Sequence, residues 1–104
     1  MGYKSFFVIL FSMIFLAGCV SRSPESVAIE NCELLCKNSK MNLSRGPCLS
    51  DYYEWNVTDW VCDIAHNPRT QEDNDVQNQC KQFLNGNAHH FVELTPDCKF
   101  IRAR

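Results

Sequence analysis

Seven cysteines in 104 residues constrain this chain more than any other feature. A domain this short builds a small core, and in an oxidising compartment its cysteines read as a disulfide framework. The count is odd, however, and Cys19 stands apart, directly behind an apolar N-terminal run. Setting it aside leaves Cys32, Cys36, Cys48, Cys62, Cys80 and Cys98, enough for three bridges. Each would contribute ~2–4 kcal/mol, not strictly additively. Many pairings are open to six half-cystines, and sequence alone does not choose among them.

The N-terminal run explains why Cys19 is separate. A weakly positive start with Lys4 is followed by an apolar stretch, Phe6 to Leu16, of 11 residues. A helix needs ~20 residues to cross a bilayer core of ~30 Å, so this stretch is short for an anchor helix and right for the h-region of a signal peptide. It ends Leu16-Ala17-Gly18-Cys19, which resembles the lipobox of prokaryotic lipoproteins. The resemblance implies cleavage before Cys19 and acyl chains, such as palmitate, carried through a lipid on its thiol. Two or more chains make a lasting tether. The expected organisation is a signal peptide at 1–18, a lipidated tether at 19–26 and a stapled domain at 27–104. The address is the cell envelope, with the chain held by lipid on the extracytoplasmic side of a membrane.

Removing residues 1–18 leaves 86 residues, which hold all 12 acidic side chains and nine of the ten basic ones. The mature part is therefore acidic overall and shows no basic patch, which argues against a nucleic-acid partner. Ser23-Pro24-Glu25 reads as a helix start, with Ser at the N-cap, Pro in the first turn and an acid beside it. Ala28, Ile29, Cys32, Leu35 and Cys36 then fall on one helical stripe. Two cysteines one turn apart on one face predict bridges outward to other elements rather than to each other.

Further along, Asn42 to Pro47 is turn-rich. Trp60-Val61-Cys62-Asp63-Ile64-Ala65 alternates and predicts a strand, with Trp60, Cys62 and Ile64 inward and Asp63 on the other face. A second helix is expected from Asp73 or Asn74 to about Asn85, carrying Val76, Cys80, Phe83 and Leu84 on one stripe, with Gly86 behind it. His89 to Leu94 reads as a second strand ended by Pro96. The predicted fold class is α+β: two helices packed on a short antiparallel sheet, clamped by cystines.

Three groups of residues invite chemistry. If the two strands pair antiparallel, His66 at the end of one meets His89 at the start of the other. Asp63 and Glu93 then lie close by, and two imidazoles with carboxylates suit zinc or copper. Asp63 with His66 could equally act as an oriented general base. Against this, no compact ligand motif is present, and all three histidines have ordinary hydrogen-bonding roles open to them. His90 shares strand parity with Val92 and Leu94 and is expected to pack. The Cys32-x-x-x-Cys36 spacing differs from the C-x-x-C of thiol oxidoreductases and favours structural bridging. Tyr52, Tyr53, Trp55 and Trp60 make either a glycan-stacking patch or part of the core. The sequons at Asn42 and Asn56 hint only at surface exposure.

The stretch Trp60 to Arg69, then Asn78-Gln79-Cys80 and Gly86 with His89-His90-Phe91-Val92-Glu93, resembles a group of small Cys-rich secreted prokaryotic proteins. The likeness spans about Cys32 to Cys98 and implies a shared cystine framework without transferring an activity. The functional expectation is a tethered, non-enzymatic binding or envelope-surface module without a cofactor. Its partners would be the membrane, through the lipid, and an envelope protein or glycan. The alternative is a metal-binding or small hydrolytic domain using His66, His89 and the nearby carboxylates.

Overall fold

Helix α1, Pro24–Asn38, starts as its sequence demands. The Ser23 hydroxyl accepts the Ser26 N–H at 3.1 Å, satisfying an otherwise orphaned first-turn donor. It belongs to a computed structural model that describes residues 21–104, so the expected signal segment and Cys19 lie outside the described residues. The helix begins inside the stretch expected as tether. Its inner face buries Ala28, Cys32 and Cys36, spaced four residues apart, while Leu34 stays exposed. Among the described residues no helix is long and apolar enough to cross a membrane.

Three strands form one sheet: β1 Trp60–Ile64, β2 His90–Leu94 and β3 Phe100–Ala103, in that spatial order. The α+β class stands, but the strand sense differs from expectation. β1 and β2 pair in parallel, from Trp60 opposite His90 to Ile64 opposite Leu94; only β2 and β3 are antiparallel. The physical reason is the long connection 65–89. A parallel neighbour needs a crossover of a dozen or more residues, and this one passes over the sheet face opposite α1. Short helices α2, Leu49–Tyr52, and α3, Lys81–Leu84, complete the set.

The helix expected from Asp73 to Asn85 is not continuous. In its place are two 3₁₀ turns, Gln71–Asn74 and Val76–Asn78, and then α3, separated by extended residues at Asp75, Gln79 and Cys80. Of the residues expected on one stripe, Cys80 is buried while Val76, Phe83 and Leu84 are exposed. Asp73 turns its carboxylate back onto the Thr70 N–H at 2.9 Å and caps a 3₁₀ turn that starts upstream of the expected helix. Cys80 must also extend to reach Cys48.

The cystine pairing is Cys32–Cys62, Cys36–Cys98 and Cys48–Cys80. The first two tie the inner face of α1 to β1 and to the β2–β3 turn, so both cysteines of the helix do bridge outward. The third joins the residues that lead into α2 and α3. Five of the 14 buried apolar residues are half-cystines, so the bridges fill the core as well as close it. Trp60, Ile64, Val92 and Leu94 pack with α1 on one side of the sheet, whereas Val61, Cys48, Cys80 and Ala88 pack on the other.

The β2–β3 turn carries two local features. Cys98 adopts φ 66°, a left-handed conformation that favours glycine, yet its bond to Cys36 requires a side chain there. Next, a register shift leaves Ile101 as an extra residue, because Leu94 faces Phe100 while Glu93 faces Arg102. This β-bulge decides which β3 residue lies beside Glu93.

Replacing Cys36 and Cys98 together by Ala is expected to cost ~2–5 kcal/mol. In a domain of this size each ~1 kcal/mol lowers Tm by about 4–8 °C. Thermal unfolding followed by circular dichroism measures the loss, and an unchanged Tm would mean the bridge does not hold α1 to the sheet.

Candidate functional site

Alternation along β1 and β2 places Val61, Asp63, Phe91 and Glu93 on the sheet face away from α1. Parallel register makes Asp63 and Glu93 direct neighbours, and adjacent strands lie only ~4.8 Å apart. The crossover covers most of this face but leaves a cleft of about 320 Å³ over the two carboxyls. Its floor is the sheet, with Cys80 at one side. Its apolar wall is Phe83 and Leu84 of α3, and Phe83 meets Phe91 edge-on with ring centroids 5.3 Å apart.

The two carboxyls are held in different ways. Glu93, 6% exposed, has an arginine on each oxygen: Arg69 Nη1 donates to Oε2 at 2.9 Å and Arg102 Nε lies 3.1 Å from Oε1. Asp63 has no such partner, and its Oδ1 is buried without a hydrogen bond. Burial, with the negative charge of Glu93 adding to it, pushes the Asp63 carboxyl up to about 8. At neutral pH it is therefore an uncharged acid with a proton to donate. The two arginines and one carboxylate leave the cleft with a surplus of positive charge, although the domain as a whole is acidic.

Arg69 is a fixed strut. Its Nε donates to Asn74 Oδ1 at 3.0 Å and its Nη2 to the Asp73 carbonyl at 3.1 Å. Asp73 in turn organises the loop that carries it. This carboxylate is 3% exposed and accepts the backbone N–H groups of His66 and Thr70, both at 2.9 Å, while the His66 ring Nδ1 sits 2.9 Å away. Burial pushes the Asp73 carboxyl up, but these donors outweigh it and hold it below the ordinary carboxylate range. The same contact raises the His66 imidazole above its ordinary value. Gly46, at φ +76°, allows the loop to close: a Cβ there would stand 2.6 Å from Asp73 Oδ1.

The residues expected to converge on a metal are divided by the fold. Asp63 and Glu93 come together in the cleft. His66 follows the end of β1 and His89 precedes β2, so in a parallel pair they flank opposite ends of strands rising ~3.3 Å per residue. His89 is exposed and bonds Asp59, with Nδ1 at 2.6 Å from Oδ1. That ring holds the Asp59 carboxyl below its usual range. The partner that orients His66 is Asp73 rather than Asp63, and Thr70 Oγ1 shares the same ring nitrogen at 3.0 Å. Among the described residues, the group that brings three ligand-type atoms within 4.8 Å of one another is Cys48, Asp63 and Cys80. Its two sulfurs are joined in a disulfide and so offer no thiolate to a metal.

His90 is half-exposed rather than fully packed, and stacks on its register partner Trp60 with centroids 4.7 Å apart. Of the aromatic group, Trp60 is core, Trp55 and Tyr53 pack against it, and Tyr52 is exposed. Sequence reading missed Arg69, Arg102 and Asp73. The available signal was a cation on either side of the two acidic strand positions, which only the register connects.

No family model, curated protein or solved structure matches the chain in comparisons with known proteins.

The Asp63 environment has a consequence for stability. Below about pH 4 the acid is protonated both folded and unfolded, so it contributes no pH dependence. Between its ordinary value of 3.8 and about 8, only the unfolded chain releases the proton, so stability falls as pH rises through this window and then levels off. Asp63→Asn is expected to remove that slope and raise Tm at pH 7.5, with little change at pH 4. Melting curves across pH 4–9 test this; parallel wild-type and variant profiles would contradict it.

Proposed function

We propose that this protein is a lipid-anchored, extracytoplasmic binding module of the cell envelope, with the cleft over β1 and β2 as its ligand site. The anchor rests on the lipobox-like Leu16-Ala17-Gly18-Cys19. The compartment is supported by three closed cystines, which persist where thiols are oxidised. The observation that carries the binding role is the cleft itself. It joins an apolar wall to a few convergent polar groups, the usual make-up of a ligand pocket, at the small end of the ~300–1,000 Å³ range.

Binding suits these groups better than catalysis does. Glu93 is tied on both oxygens, and Asp63 keeps its proton at neutral pH. His66, which with Asp63 and His89 supplied the hydrolytic alternative, is bonded to Asp73 instead and built into the loop with Thr70 on the same ring nitrogen. Its role there is to hold Arg69 in place.

Two measurements test the reading. Metabolic labelling with an alkyne fatty acid is expected to mark the wild-type chain and not Cys19→Ser; equal labelling would remove the anchor. A thermal-shift screen of small amphipathic acids, amines and alcohols is expected to find stabilising compounds, because a ligand at 100 times its Kd adds ~2.7 kcal/mol. A screen with no compound that raises Tm would remove the binding role.

A further inference from the structure

The chemical class of the ligand follows from what the cleft leaves unsatisfied, granted the binding role proposed above. Arg69 is fixed in place, with each of its three nitrogens already bonded, to Asn74, Glu93 and the Asp73 carbonyl. Arg102 is different. It approaches Glu93 through Nε, leaving its two terminal nitrogens out of that pair, and its side chain is half-exposed at the cleft edge. Across Glu93 from Arg102, on β1, Asp63 Oδ1 is buried without a partner. Beyond these polar groups, Phe83 and Leu84 expose 40% and 51% of their surface at the mouth.

We propose that the cleft takes a small carboxylic acid with an apolar body: the carboxylate lies between the Asp63 carboxyl and the terminal nitrogens of Arg102, and the body lies on Phe83, Leu84 and Phe91. A carboxylate accepts from both donors at once, and charge-assisted bonds of this kind are the strong ones. An ammonium would meet two guanidinium groups and a Glu93 whose oxygens are both taken. A sugar would need several polar partners along a wall that is apolar. Asp63 serves as a donor only while it holds its proton, which burial favours up to about pH 8. The charged groups around it are Glu93 on β2, Arg102 on β3, and Arg69 and Asp73 on the crossover. Asp51 and Lys81 stand at the α2–α3 contact, where the Lys81 N–H donates to Asp51 Oδ2 at 3.2 Å.

The test compares 4-phenylbutyrate, 4-phenylbutanol and 4-phenylbutylamine on the full-length protein in lipid nanodiscs, with empty nanodiscs as reference. Affinity is read by NMR from the Arg102 Nε–H signal and the ring signals of Phe83 and Phe91. At pH 6.5 the acid is expected to bind about tenfold or more tightly than the alcohol, and the amine least. Raising the pH to 9 should weaken the acid about tenfold in the wild type, as only the protonated fraction of Asp63 remains competent. In Asp63→Asn the acid should bind equally at both values, and Arg102→Gln should lose most of the preference for acid over alcohol. An amine or alcohol that binds as well as the acid overturns the ligand class and leaves the cleft a binding site. So does wild-type affinity for the acid that is the same at pH 6.5 and 9. If none of the three compounds shifts the cleft signals, the binding role falls with it.

Discussion

Everything in this domain hangs on the covalent attachment of one helix to one small sheet. α1 offers the sheet a short stripe of Ala28, Cys32 and Cys36, with Ile29 and Leu35 partly buried beside it. The two cysteines of that stripe reach β1 and the β2–β3 turn, so the contact is made covalent at two points. With α1 fixed on one face, Trp60, Ile64, Val92 and Leu94 have a defined inside. Their alternate neighbours, Val61, Asp63, Phe91 and Glu93, are thereby committed to the opposite face.

That opposite face is where parallel pairing matters. A hairpin between β1 and β2 would have left it open to solvent, and two carboxyls there would have been ordinary surface groups. The crossover required by parallel strands lies over it instead, removing water from Asp63 and bringing Arg69 to Glu93. The crossover has little apolar content of its own. It is shaped by the Asp73 carboxylate, by the tight approach at Gly46 and by the Cys48–Cys80 bridge. The positions of the charges in the cleft are thus set by a polar loop and a cystine more than by core packing.

Much of the local structure was legible in the residues. Ser23-Pro24-Glu25 started α1 where a cap and an N-terminal proline should, and the parity of Trp60, Cys62 and Ile64 gave the inner face of β1 correctly. The sense of strand pairing was not legible, because period-two patterning looks the same in parallel and antiparallel sheets. Convergence of His66 and His89 had rested on that sense and went with it. The helix from Asp73 to Asn85 looked sound by spacing, but Asp73 caps a turn that starts at Thr70, and Cys80 is extended where it bonds Cys48. β3 was passed over, although Phe100-Ile101-Arg102-Ala103 has strand-forming residues; its single extra residue, Ile101, blurs the alternation. The cleft could not be read from sequence, since Asp63, Arg69, Glu93 and Arg102 meet only through register.

The Cys48–Cys80 bridge carries a further meaning. It lies at the side of the cleft and fixes the residues from which α3, with its apolar wall, departs. A chain whose thiols are still reduced lacks this covalent tie and holds α3 through weaker contacts such as Phe83 on Phe91 and the Lys81 N–H on Asp51. For the binding role and address proposed above, this makes recognition conditional on place: the site is completed only where Cys48 and Cys80 are oxidised, so that maturation and location become a single event.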